Sequence, residues 1–228
     1  MPDKAVLSFL EDKYSEDFQV VSTDYIAETG NYDIRISPKG NPDLVFKVDH
    51  NPKKDHFNDY YPYAIWQFDA DKAIRAILDE QNVPYALLTN VSALVEFEPD
   101  NIPKFEDLLE SNKDKVSVNL KLHFFGDLNA ETLSAQQKLD EHFRKMNLKK
   151  VGFSSSIYNT ASIDGKELSD LNFDFGVHSE NTFESENTDH FLGLIKYRID
   201  SKKDAVPSSE SLLDIVVDNP KHMMFKKL

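Results

Sequence analysis

Tyr63, Trp66, Ala70, Ile74, Ile77 and Leu78 recur at steps of three and four residues, the spacing that collects side chains on one face of a helix. An apolar stripe of four turns must be buried, and the flattest apolar surface a chain can offer it is a sheet. The residues before the stripe supply one. Leu44 to Asp49 reads as a strand, and so does Tyr32 to Ser37, where Tyr32, Ile34 and Ile36 alternate with Asp33 and Arg35. Phe18 to Ala27 reads as a third strand, joined to Tyr32–Ser37 through Thr29-Gly30-Asn31, a turn suited to positive φ and therefore to a hairpin. Residues 3 to 15 form a first helix with Val6, Leu7, Leu10 and Tyr14 on one side, and Asp3 is placed as its N-cap. Pro62 suits the first turn of the second helix and Pro84 marks its end, so residues 1–82 read α-β-β-β-α.

Beyond Pro84 the same signals continue. Tyr85 to Phe97 is a mostly apolar strand with Thr89 and Asn90 inside it, and a short helix follows with Phe105, Leu108 and Leu109. Val116, Val118, Leu120, Leu122 and Phe124 alternate with Ser117, Asn119, Lys121 and His123, so one face is core and His123 is expected at the surface. A helix from Asn129 to about Asn147 turns Leu133, Leu139, Phe143 and Met146 inward. Val151–Tyr158, Leu171–His178 and Phe191–Ile199 read as strands, and Ser208–Val217 as a last amphipathic segment.

These elements make an α+β fold of mostly antiparallel sheet with helices packed on one face. Two units are expected, 1–82 and 83–228 (the latter β-α-β-α-β-β-β-α), with a tight boundary near Val83-Pro84 or no boundary at all in one compact domain. A helix followed by three strands occurs at 3–49 and again at 132–199, the pattern of two similar α-β-β-β units, although residue identity between them is poor.

Sixteen Phe and nine Tyr in 228 residues give the chain ample apolar surface to offset the entropy of ordering. With 40 acidic against 26 basic residues the net charge is −14, which repels phosphate backbones and anionic bilayers. Nucleic acid is therefore not expected as a partner, and a basic protein, a cation or simple colloidal solubility would each suit such a surface, solubility being the plainest reading. The absence of cysteine removes disulfides, thiol nucleophiles, iron–sulfur clusters and Cys-ligated zinc. No apolar run approaches the ~18 residues of a membrane span, so membrane insertion is not expected. If Met1 is the native start, a cytoplasmic protein is expected; the alternative is a cell-envelope ectodomain whose leader has been removed.

Few residue patterns carry chemistry. With seven Gly, neither GxGxxG nor GxxxxGK[ST] occurs, and Ser154-Ser155-Ser156 has no GxSxG elbow. The segment His178–His190 holds Glu180, Glu184, Glu186 and Asp189 but lacks the order and glycine of a calcium loop. The polar loop Asp49–Asp59 is the better candidate. His50, Asp55, His56 and Asp59 offer nitrogen and oxygen ligands for a divalent metal, though Lys53 and Lys54 oppose a cation and the spacing matches no metalloenzyme signature. The same loop runs into Phe57, Tyr60 and Tyr61, which precede the helix and cannot all share its buried face, so with Asp55 and Asp59 they form a candidate contact surface.

Lys13-Tyr14, Phe18, Pro42, Asp43, Phe46, Val48, Asp59, Tyr61 and Trp66 together resemble small α/β domains found in uncharacterised bacterial proteins, several of them lipoprotein ectodomains. The resemblance covers about a third of the chain and implies a fold but no reaction; unlike those lipoproteins, the chain has no cysteine to carry a lipid. The reading that follows is a non-enzymatic binding module with an acidic surface, in one version an inhibitor or immunity-like partner of a basic protein, with no cofactor. The alternative is a metal-dependent hydrolase using His50, Asp55, His56 and Asp59. Oligomeric state is left open by the sequence.

Overall fold

In the computed structural model, which describes residues 2–54, 56–126, 130–146, 148, 150–159 and 191–199, the first helix α1 runs from Pro2 to Tyr14. Its buried residues Val6, Leu10 and Tyr14 stand four apart, one turn above another. Asp3 falls within the first turn rather than capping it, and its carboxylate accepts a hydrogen bond from the Thr23 hydroxyl at 2.9 Å. The helix stops at Ser15, which takes a left-handed φ of 53°.

Four strands follow in a meander, β1 (Phe18–Ile26), β2 (Asn31–Pro38), β3 (Phe46–Asn51) and β4 (His56–Asp59), all neighbours antiparallel and in chain order. Gly30 closes the first hairpin with a φ of 70°. Register decides which residues share a face. Ile34 lies opposite Val48 and Ile36 opposite Phe46, and these join Val6, Leu10, Tyr14, Phe18, Leu44 and Tyr61 in one core. The other row, Asp24–Asp33–Asp49–Asn58, crosses all four strands on the opposite face. The strand β4 is an addition to the sequence expectation, in which 50–59 is a loop; its only large apolar residue is Phe57, too little alternation to announce a strand.

The chain divides into two compact units, one of Met1–Asp69 with Val95–Asp107 and one of Ala70–Leu94 with Leu108–Leu228. Helix α2 (Tyr61–Asp79) contributes to both, with Trp66 buried in the first and Ala70, Ile74 and Leu78 buried in the second. These four stand at strict four-residue steps. Tyr63, expected among them, sits on the flank of that stripe and is exposed. In the first unit the Trp66 indole N–H donates to the Pro103 carbonyl at 2.8 Å, and Phe97 meets its ring edge-on.

The second unit is a sheet in the order β5 (Tyr85–Ala93), β6 (Val116–Phe125), β7 (Val151–Tyr158) and β8 (Phe191–Ile199). Helix α3 (Phe105–Asn112) precedes β6, and α4 (Ala130–Lys145) joins β6 to β7. That join makes β6 and β7 parallel, while β5/β6 and β7/β8 are antiparallel. A parallel pair needs a crossover of this length, and the 16-residue α4 provides it. Val118, Leu120, Leu122 and Phe124 of β6, with Phe153 of β7 stacked edge-on against Phe143 of α4, form its interior. The fold is α+β with mostly antiparallel sheets, as expected. The segments 171–178, 178–190 and 208–217, and with them the proposed repeat at 132–199, extend outside the described residues.

His123 is not at the surface. It lies fully buried, diagonal to Tyr158 on β7, and burial with the nearby Lys121 charge lowers its pKa to about 3. The polar row of β6 is wet only at its start; Leu122 to Phe125 are all buried, so both faces are covered there.

Candidate functional site

The hairpin from Asp49 to Tyr61 sorts its residues by strand parity. His50 lies opposite Phe57 and Val48 opposite Asp59, so these side chains share the face covered by α1. His56 and Asn58 are one residue out of phase and point to the open face, with Asp49 opposite Asn58. His50 and His56 are thus directed to opposite sides of the sheet. Asp55 lies outside the described residues. Among the described residues no group of three or more His, Asp or Glu is arranged to hold a metal ion.

On the covered face the aromatic residues form a ladder. Phe9 of α1 stacks on Phe57 at 4.7 Å, Phe57 on His50 at 4.4 Å, His50 on Tyr32 at 6.2 Å, and Tyr32 meets Tyr25 at 5.1 Å. Each step after the first is a directly opposed cross-strand pair, so the register of the sheet builds the ladder. Phe57 is half-buried within it. Asp59 is buried too, its side chain 4% exposed, and it accepts from Lys13 Nζ at 2.8 Å and Tyr14 Oη at 2.6 Å. The carboxylate ties the end of β4 to the last turn of α1. Tyr61, 5% exposed, packs against Tyr14, Phe18 and Phe46, and its hydroxyl donates to Glu16. Burial, followed by the bond to its carboxylate, raises the pKa of both Tyr14 and Tyr61.

Tyr60 differs from these neighbours. It is 38% exposed, and its hydroxyl accepts from Asn58 Nδ2 at 2.8 Å while donating to Asp49 Oδ2 at 3.2 Å. Partial burial and the Asp49 charge raise its pKa, so it stays a neutral donor. It stands at the edge of the open face, where Asp24, Asp33 and Asp49 occupy one cross-strand row. Like charges directly opposed repel. Lys47 relieves the repulsion for two of them, its ammonium 2.9 Å from Asp33 and 2.9 Å from Asp49. Burial opposes the charge on Lys47, and the two carboxylates outweigh it and raise its pKa. Asp24, at the outer strand, is exposed. The spacing along the row is set by the sheet at about 4.8 Å per strand.

Of the five residues read from the sequence as a contact surface, then, Tyr60 is exposed, Phe57 is half-buried in a stack, Asp59 and Tyr61 are enclosed, and Asp55 is not described. Asp24, Asp33 and Asp49 join Tyr60 on the open face. The alternation of Asp33 and Arg35 with Tyr32, Ile34 and Ile36 was the available signal for that face, but pairing register is needed to bring the three carboxylates together.

No protein-family model matches the chain, and no curated protein matches it. A crystal structure of a DUF5037 family protein from Ruminococcus gnavus is similar in fold, with a TM-score of 0.56 at 14% identity, over 94% of this chain and 98% of that one. A likeness at that identity concerns the fold alone. Among the described residues no helix is long and apolar enough to cross a membrane.

Proposed function

We propose that the chain is a non-enzymatic binding module whose first sheet presents its open face to a basic protein partner. The observation that carries this reading is Tyr60, an exposed aromatic side chain held in place by Asn58 and Asp49 beside the row Asp24–Asp33–Asp49. A tyrosine with a fixed hydroxyl is the kind of residue that anchors interfaces, because it adds contact area at little cost in rotamer entropy. Lys47 bridges two of the row's three carboxylates and Arg35 shares that face, so the local excess is a single carboxylate, and the net charge of −14 is what steers cations toward the molecule from a distance. An inhibitor or immunity-like partner of a basic enzyme is the finer version of the same reading.

The test is capture of proteins by the immobilised chain, compared with the variant Tyr60→Ala, Asp49→Asn. A basic protein retained by the wild type, lost from the variant and released by raised salt supports the reading. Equal retention by both removes it.

A further inference from the structure

Beyond β5 the chain keeps the habit of a strand without having a neighbour among the described residues. Leu94, Glu96 and Glu98 are exposed while Val95 and Phe97 are half-buried, a strict two-residue alternation. The last bond of the β5/β6 ladder is Leu94 N–H to Lys115 C=O at 3.1 Å; after it, and among the described residues, the backbone of Val95, Glu96 and Phe97 makes no hydrogen bond. The segment is nevertheless held. Phe97 sits edge-on against the buried Trp66 at 5.5 Å, Ile102 packs on the core of the first unit, and the Pro103 carbonyl accepts from the Trp66 indole. It is a piece of chain with a strand's alternation, anchored by its inward side chains; the main-chain groups of Val95, Glu96 and Phe97 have no partner among the described residues, while the Glu98 carbonyl accepts from Asn101 N–H at 2.9 Å.

We propose that Val95–Glu98 is a docking strand for an extended, lysine- or arginine-bearing segment of another protein, which adds to it by main-chain pairing. Strand addition draws its affinity from backbone hydrogen bonds and its selectivity from side chains at alternate positions. Here the outward positions are Glu96 and Glu98. An incoming strand matches them with two cations two residues apart. The same two carboxylates disfavour a second copy of this chain in that place, since like charges directly opposed repel. The inference stands on residues separate from those of the first-sheet reading, and the two survive or fall independently.

The probe is a synthetic eight-residue peptide alternating lysine and threonine, titrated while following the fluorescence of Trp66, the sole tryptophan and the ring on which Phe97 rests. Two further peptides carry N-methyl groups at alternate amides, one in each register. Saturable binding is expected, with at least one N-methylated peptide weakened about ten-fold, and with Glu96→Lys, Glu98→Lys weakening the parent peptide about ten-fold or more. Both glutamates are exposed, so circular dichroism of that variant should match the wild type. Undiminished binding of both N-methylated peptides, undiminished binding to the variant, or no saturable binding overturns the proposal.

Discussion

Replacing Asp59 by alanine separates a structural carboxylate from a surface one. Its two bonds, 2.8 Å to Lys13 and 2.6 Å to Tyr14, are both charge-assisted, a class worth about 1.5–3 kcal/mol each when shielded. The Lys13 side chain is 35% exposed, so solvent screens its share to well under about 1 kcal/mol. The Tyr14 bond is more enclosed, and losing it leaves a hydroxyl in a buried residue without its acceptor, a cost of about 1–3 kcal/mol. Asp59→Ala should therefore destabilise the first unit by about 1–3 kcal/mol, nearly all of it through Tyr14. Asp59→Asn retains an acceptor for Tyr14 and should cost about half as much. Trp66 lies in the same unit, so urea unfolding followed by tryptophan fluorescence reads the relevant transition. A change below about 0.5 kcal/mol for Asp59→Ala, or an Asn variant as damaging as the Ala variant, would refute this assignment of the carboxylate.

The adjacent tyrosines should behave as opposites: Tyr61→Ala opens a core cavity and costs about 3–5 kcal/mol, while Tyr60→Ala stays within about 0.5 kcal/mol in the same assay. The raised pKa values of Tyr14 and Tyr61 mean that the folded state holds their protons above the ordinary value of 10, where the unfolded chain releases them. Stability is then fully present below pH 10 and falls above it, by up to about 1.4 kcal/mol per pH unit for each tyrosine, and Tyr14→Phe should flatten the decline in alkaline urea titrations. His123 works at the other end: folded it stays neutral down to about pH 3, whereas unfolded it takes a proton near 6.5. The second unit should lose stability as pH falls from 6.5 toward 3, and His123→Gln should reduce that slope in thermal melts followed by circular dichroism. A Cβ at Gly152 would come within 2.6 Å of Asn119 Oδ1, so Gly152→Ala should cost about 1 kcal/mol and Asn119→Ala should remove that cost in a double-mutant cycle.

The elements legible in the sequence are those whose alternation or helical stripe runs through several turns or residues: α1, β2 and β6 fall within a residue or two of their expected ends, and α2 starts where expected but stops at Asp79, short of Pro84. What the sequence hides are consequences of pairing. The short strand β4 has one large apolar residue in four, and Pro52-Lys53-Lys54 before it looks like any polar loop. Asp59 and Tyr61 look like surface residues because their polar atoms find partners 45 and 46 residues away, in Lys13, Tyr14 and Glu16. The register that puts Asp24, Asp33 and Asp49 in one row exists only after three strands are aligned. The parallel β6/β7 pair was equally invisible, since a two-residue period carries no strand direction.

The most direct test of a basic partner on the open face of the first sheet is the salt dependence of its Kd, measured for wild type and for Tyr60→Ala, Asp49→Asn. Electrostatically steered binding to the Asp24–Asp33–Asp49 row weakens steeply as ionic strength rises from about 0.05 M to about 0.5 M, and the variant should bind at least about ten-fold more weakly at low salt with a shallower slope. A Kd that is unchanged by salt and by the two substitutions would contradict it.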